Sequence, residues 1–202
     1  MKALLLASAN PGKLAEFRAL LAGLDIALSG LADFPGVALP AEGGDYRENA
    51  AAKARSACEG SGLPALADDS GLEVAALGGA PGPHSARYGG PGLDDRARLE
   101  LLLAELAARP SARQTAQARE ARFVCVAALA LPEGALHLAR GECAGEILRA
   151  PQGGGGFGYD PVFRPADHNR SMAELPPAEK NRISHRARAL AKLRPQLQRL
   201  QA

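Results

Sequence analysis

Asp68 and Asp69 stand side by side after the apolar run Leu63-Pro64-Ala65-Leu66-Ala67 and ahead of Ser70-Gly71. A short apolar run reads as a buried strand, and Gly71 reads as its exit turn. Carboxylates in such a place must be paired, protonated or bound to a cation. The acid pair therefore points to a cation site, a catalytic base, or both. Successive side chains of a strand point to opposite faces, so only one of the two should face a common cleft unless the backbone turns. A strand-end turn whose Asp and Ser cap backbone donors is the competing reading.

The rest of the chain alternates strand and helix signals. Lys2 to Ala7 reads as a buried first strand, followed by a helix from Lys13 to about Leu21. Asn10 suits its N-cap and Pro11 its first turn. A second strand spans Asp25 to Leu28, a loop Asp33 to Asp45, and an Ala-rich helix Arg47 to Glu59. Leu63 to Asp68 and Leu72 to Leu77 read as two strands around the acid pair, and Gly78 to Gly92 as a long irregular stretch. Asp94-Asp95 opens a helix with Leu99, Leu102, Leu103 and Leu106 at helical spacing. Arg109 to Arg119 is polar and reads as exposed. Arg122 to Leu131, Ala135 to Arg140 and Glu142 to Leu148 read as strands, with a hairpin turn at Pro132-Glu133-Gly134. A last helix is expected from Asn181 or Ser184 towards Leu200, bending at Pro195. Interleaved elements with a meander in the middle imply an α/β fold with a mixed sheet.

Composition excludes several functions. The chain has 202 residues, a net charge of +2 and no Trp. It lacks the basic footprint and the stacking aromatics of a nucleic-acid binder. Cys58, Cys125 and Cys143 are scattered, without a C-x-x-C pair. That pattern argues against a disulfide framework or a zinc site and fits a reducing compartment. Leu4-Leu5-Leu6 is too short an apolar run for a signal peptide or a membrane span. The expectation is a cytoplasmic protein of one domain, 1–202, with neither nucleic acid nor membrane as partner.

Three further segments carry chemistry-bearing residues. In Ser8-Ala9-Asn10-Pro11-Gly12-Lys13 a strand runs into a helix N-terminus. Free backbone N–H groups, the helix dipole and the Lys13 charge favour a phosphate there, against an ordinary capped helix with a solvated lysine. It is not a Walker A loop. Gly153 to Pro161 packs Gly, Phe157, Tyr159 and Asp160 into nine residues. Glycines permit close backbone approach, the aromatics offer a face for a base, and Asp160 can accept from ring N–H groups. A flexible hinge with buried aromatics is the alternative. Lys180 and Ser184-His185-Arg186 lie near the start of the last helix, where a solvated basic face is the simpler reading.

In order and spacing, Ser8 to Lys13, Ala67-Asp68-Asp69-Ser70-Gly71-Leu72, Gly156-Phe157-Gly158-Tyr159-Asp160-Pro161 and Ser184-His185-Arg186 resemble the inosine triphosphate pyrophosphatase family. Glu48-Asn49-Ala50 with Lys53-Ala54, and Gly78 to Gly82 with Ser85-Ala86-Arg87-Tyr88, resemble its pattern too. The resemblance implies an elongated, curved mixed sheet flanked by helices, with two lobes around a central cleft. It implies hydrolysis of ITP, dITP and XTP to the monophosphate and pyrophosphate, with Mg²⁺, in a homodimer. Carried over, Ser8, Ala9, Asn10, Pro11, Gly12 and Lys13 would hold the triphosphate. Asp69 would be proton acceptor and metal ligand, and Ser70 would contact substrate. Phe157, Gly158, Tyr159, Asp160, Lys180, His185 and Arg186 would bind the nucleotide, mainly its base. Glu42 is the acid best placed as a second metal ligand, although it lies one residue short of the family's spacing. Two rivals are a pyrophosphatase of the Maf-like kind, acting on modified pyrimidine triphosphates, and a nucleotide sensor without turnover.

Overall fold

The computed structural model describes residues 2–109 and 119–200. Most of the polar stretch expected to be exposed, 110–118, lies outside the described residues. The strands are β1 (Lys2–Leu6), β2 (Ile26–Gly30), β3 (Ala65–Val74), β4 (Pro81–Gly82), β5 (Glu120–Ala130), β6 (Leu136–Ile147) and β7 (Phe163–Pro165). The helices are α1 (Pro11–Leu21), α2 (Tyr46–Ser61), α3 (Asp95–Ala108), α4 (Pro177–Ile183) and α5 (His185–Arg199). The strands form one sheet in the order β2-β1-β3-β5-β6-β7, with β4 added to β3. β1 pairs parallel with β2 and β3, whereas β4 on β3 and β7 on β6 are antiparallel. The expected mixed α/β sheet flanked by helices is therefore observed.

Three expectations change. β3 does not stop at Asp68 and resume at Leu72 but runs unbroken through the acids and Gly71 to Val74, and a short 3₁₀ turn at Ala75–Leu77 follows it. β6 is likewise one strand through Gly141 rather than two. The last helix is two: Ser184, in an extended conformation, separates α4 from α5. Pro195 lies inside α5.

The chain divides into two compact units. The first comprises Met1–Asp69, Cys125–Gly141 and His185–Ala202, and the second Ser70–Val124 and Glu142–Ser184. In the first unit, alternation along the strands sorts the helices. Leu4, Leu6 and Leu66 share a core with Phe17 and Leu21 of α1 and with Ala189, Leu190, Leu193 and Leu197 of α5. Burying each of the larger side chains contributes roughly 1.5–3 kcal/mol. α2 turns a different stripe inward: Tyr46, Asn49, Ala50, Lys53, Ala54, Ala57 and Cys58 are buried, the i, i+3, i+4 pattern of one helix face. In the second unit Leu72 and Val74 pack with Leu99, Leu102 and Leu106 of α3 and with Phe123, Tyr159 and Phe163. No helix among the described residues is long and apolar enough to cross a membrane.

Candidate active site

Both acids of the pair are buried, and strand alternation gives them different partners. Asp68 is fully buried and meets the α1 and α5 side: Lys13 Nζ lies 2.9 Å from its Oδ1, and Arg186 Nε donates to its Oδ2 at 3.2 Å. Arg186 also donates from a second guanidinium nitrogen to Glu16 at 2.9 Å, so positive and negative groups alternate through the cluster. Burial alone would raise the Asp68 carboxyl, but Lys13, Arg186 and Lys53 hold it well below the usual carboxylate range. Its job in the fold is to neutralise the buried Arg186 and the half-buried Lys13. Asp68→Asn should therefore lower unfolding stability by about 3 kcal/mol, the scale of breaking a buried ion pair from one side. Chemical denaturation of the purified variant measures this, and an unchanged midpoint would refute it.

Arg186 is placed by a glycine. A Cβ on Gly141 of β6 would sit 2.2 Å from the His185 carbonyl oxygen and 2.3 Å from the Ala189 nitrogen. Only a residue without a side chain lets the first turn of α5 lie against that strand. The glycine that reads as a strand break is thus a packing contact, and it seats His185 and Arg186, both buried.

Asp69 faces α2. Asn49 Nδ2 donates to its Oδ2 at 2.8 Å, and Lys53 Nζ lies 3.4 Å from its Oδ1. The same ammonium donates to Glu42 Oε1 at 2.6 Å. Two carboxylates thus converge on the Lys53 ammonium. Burial opposes the charge on Lys53, but Asp68, Asp69 and Glu42 more than offset it and hold its pKa above the ordinary value. Asp69 moves in the same direction for a different reason. Burial raises it, Lys53 and Asn49 oppose that, and the like charge of Glu42 adds to it. The ammonium has three carboxylates to draw on, whereas at Asp69 the pull of Lys53, Asn49 and Lys13 does not outweigh burial and the like charge of Glu42. Such a carboxylate pair gains from any further cation. Oxygen donors in small number suit Mg²⁺, which keeps waters and takes further ligands from substrate phosphates. Among the described residues no cluster of three or more potential ligands forms a closed cage. Asp69 and Glu42 supply carboxylate oxygens of the kind a hard divalent ion prefers.

The Ser8 to Lys13 segment enters α1 as expected, but its donors are largely occupied. Asn10 Oδ1 accepts from the Gly12 and Lys13 amides at 2.8 and 3.2 Å, and Asn10 N donates to Ser8 Oγ. Pro11 has no N–H to offer. The first turn is a capped helix start with the Lys13 ammonium turned onto Asp68, not a row of open amides. Ser70 follows Asp69 in β3 and is half-buried.

In the second unit, Asp160 organises the glycine loop. Its Oδ2 accepts from the Phe157 amide at 3.0 Å and from Lys180 Nζ at 2.5 Å. Lys180 Nζ also stands 5.3 Å from the centre of the Phe157 ring, within cation–π range. Gly156 has a φ of 71°, and a Cβ there would lie 2.0 Å from Asp160 Oδ2. Asp95, the first residue of α3, accepts from the Gly158 amide at 2.9 Å. Tyr159 belongs to the core cluster, and its hydroxyl donates to the Ser85 carbonyl at 3.0 Å. Ser85 Oγ accepts from the Leu72 amide and donates to Gly82. A separate cavity of about 750 Å³, lined by Glu73, Arg122, Glu146 and Arg164 among others, contains none of the candidate residues.

Asn49 and Lys53 are the site residues that the reading of side-chain chemistry passed over. Their signal was present: two polar residues, one helical turn apart, in the inward stripe of an alanine-rich helix. Asp95 and Ser85 left no such mark, because each acts on backbone groups distant in sequence.

An α/β sheet with a buried acid pair, served by lysines and an arginine from the surrounding helices, is the class that fold and site define. The sequence profile of the Ham1 family matches residues 4–196, and the chain belongs to that family. It is similar to a dITP/XTP pyrophosphatase of Symbiobacterium thermophilum, 52% identical over 193 residues that cover 95% of this chain and 92% of that protein. A dITP/XTP pyrophosphatase of Mycobacterium tuberculosis is 49% identical over 201 residues, covering 98% of this chain and 96% of that one. The structure of a HAM1 protein from Coxiella burnetii superimposes with a TM-score of 0.85 at 43% identity, covering 98% of this chain and 100% of that one.

Proposed function

We propose that this chain hydrolyses nonstandard purine nucleoside triphosphates, ITP, dITP and XTP, to the nucleoside monophosphate and pyrophosphate. This clears deaminated purines from the nucleotide pool. Family membership supports the reaction class, and the relatives named dITP/XTP pyrophosphatase support the substrates. The observation that carries the reading to particular residues is the Glu42–Lys53–Asp69 cluster, in which a carboxyl with a raised pKa shares one ammonium with a second acid.

The water oxygen bonds to the α-phosphorus as the bridging bond to the β-phosphate breaks, and pyrophosphate leaves. Asp69 takes the proton released by that water. Asn49 and Lys53 fix its orientation. Asp69 and Glu42 would hold Mg²⁺, which would supply charge to offset that of the phosphates. Lys13 adds positive charge for the triphosphate, together with the Ser8 to Gly12 turn, exposed at Ala9 to Pro11, and Ser70. Phe157 to Asp160, Lys180, His185 and Arg186 take the base side, with Tyr159 acting through its anchor to Ser85. The whole chain works as one catalytic domain, in a cytoplasmic homodimer. The free thiols of Cys58, Cys125 and Cys143 support that compartment.

Pyrophosphate release from ITP, dITP and XTP, measured with Mg²⁺ and with EDTA in its place, tests the proposal. Release is expected from each with Mg²⁺ and should fall to background with EDTA. Tight ITP binding without release would instead identify a sensor. Release only from modified pyrimidine triphosphates would point to the Maf-like rival.

A further inference from the structure

We propose that Asn49 is a positioning residue for the divalent-cation site, holding the Glu42 loop and Asp69 at a fixed separation. The inference rests on the metal reading above and adds a residue to it. Asn49 is in the first turns of α2 and is buried at 5% exposure. Its Nδ2 donates both to Asp69 Oδ2 at 2.8 Å and to the Gly43 carbonyl at 3.2 Å. Its Oδ1 accepts from the Gly43 amide at 2.7 Å. A side-chain amide has two N–H donors and one oxygen, and all are engaged here. Flipping the amide would set oxygen against the Asp69 carboxylate and the Gly43 carbonyl, and nitrogen against the Gly43 N–H. The group therefore has one orientation.

That orientation ties the loop before α2 to Asp69 of β3. Between the 3₁₀ turn at Leu31–Asp33 and α2 the chain has no helix or strand. Glu42 lies on this loop, immediately before Gly43. Bonding both backbone polar groups of Gly43 fixes the peptide beside Glu42 and so aims its carboxylate at Lys53. Lys53 follows Asn49 by four residues on the same buried face of α2, and it meets Glu42 and Asp69 together. Two carboxylates can share a divalent ion only if their spacing is preset. The Asn49 amide is the one side chain among the described residues shown bonded to both Asp69 and the peptide that follows Glu42.

The test measures Mn²⁺ affinity of the full chain by electron paramagnetic resonance, alongside thermal unfolding without metal. The variants are Asn49→Ala and Asn49→Gln, the latter keeping the amide but displacing it by one methylene. Both should weaken Mn²⁺ binding by about 10- to 100-fold, the usual effect of removing a group that orients a metal ligand. Glu42→Gln should weaken it too, and adding Asn49→Ala to Glu42→Gln should weaken it by less than the product of the separate losses, because the two act through one contact. Unchanged Mn²⁺ affinity in a folded Asn49 variant, or strictly multiplicative losses, would overturn the inference alone. A wild-type chain that binds no Mn²⁺ would overturn the metal reading and this inference with it.

Discussion

Asp69→Asn should reduce turnover of ITP at least ~100-fold at saturating Mg²⁺ while leaving the fold intact. Asparagine matches aspartate in shape, so the contact with Asn49 survives if the new amide presents its oxygen to Asn49 Nδ2. The other end of the amide then faces Lys53, donor against donor, and Lys53 keeps Glu42 as its acid partner on this side. The substitution removes the base and the local excess of negative charge together. Saturating the metal separates the two effects. Activity restored by high Mg²⁺ would show that Asp69 serves only as a ligand, and near-normal turnover at all Mg²⁺ concentrations would reject the site assignment. The neighbouring acid provides the control. Asp68→Asn should lower unfolding stability, which Asp69→Asn leaves intact, because Asp68 is spent on Lys13 and Arg186. Two identical side chains, adjacent in one strand, are thus assigned different work by the face each occupies.

That division was half legible in the sequence. Alternation correctly implied that the two acids separate, and Asn10-Pro11 correctly marked the start of α1. Asp-Asp-Ser-Gly also carries turn chemistry, and the turn was the wrong inference. Residues distant in sequence decide against it: Lys13 and Arg186 on one side, Asn49 and Lys53 on the other, neutralise acids that would otherwise force the strand to end. Gly141 misled in the same way. Glycine within a strand reads as a break when the cause, the close approach of α5, lies more than forty residues onward. At the Ser8 to Lys13 turn the free amides were overcounted for a local reason. Asn10 was read as a cap and the amides behind it as free, yet a cap consumes those amides. Lys53 was passed over because lysine on an alanine-rich helix is ordinarily solvated, and only the stripe it shares with Ala50, Ala54 and Ala57 shows that it turns inward.

ITP should be turned over with a kcat/KM about 10⁴-fold above that for ATP. Hypoxanthine and xanthine carry an acceptor oxygen at the 6-position, whereas adenine carries an amine donor. The cations assigned to the base are Lys180 and Arg186, and ammonium and guanidinium groups offer donors and no acceptors. Their fixed partners leave little room to adapt. Lys180 is held by Asp160 and stands over the Phe157 ring, and Arg186 is pinned by Asp68 and Glu16. The Phe157 and Gly158 amides are equally committed, to Asp160 and Asp95. An amine brought to the Lys180 ammonium meets donor against donor, the Asp160 carboxylate being already held by Lys180 and the Phe157 amide, and both sides lose a hydrogen bond. An oxo group would accept from the Lys180 ammonium, whose three N–H donors exceed its one bond to Asp160. The 10⁴-fold scale is that of a site built to bond a polar group and offered an analogue that cannot bond. Steady-state pyrophosphate release with ITP and ATP measures the ratio directly. Equal values would mean that the base is recognised by stacking and shape on Phe157, and the donor argument would fail.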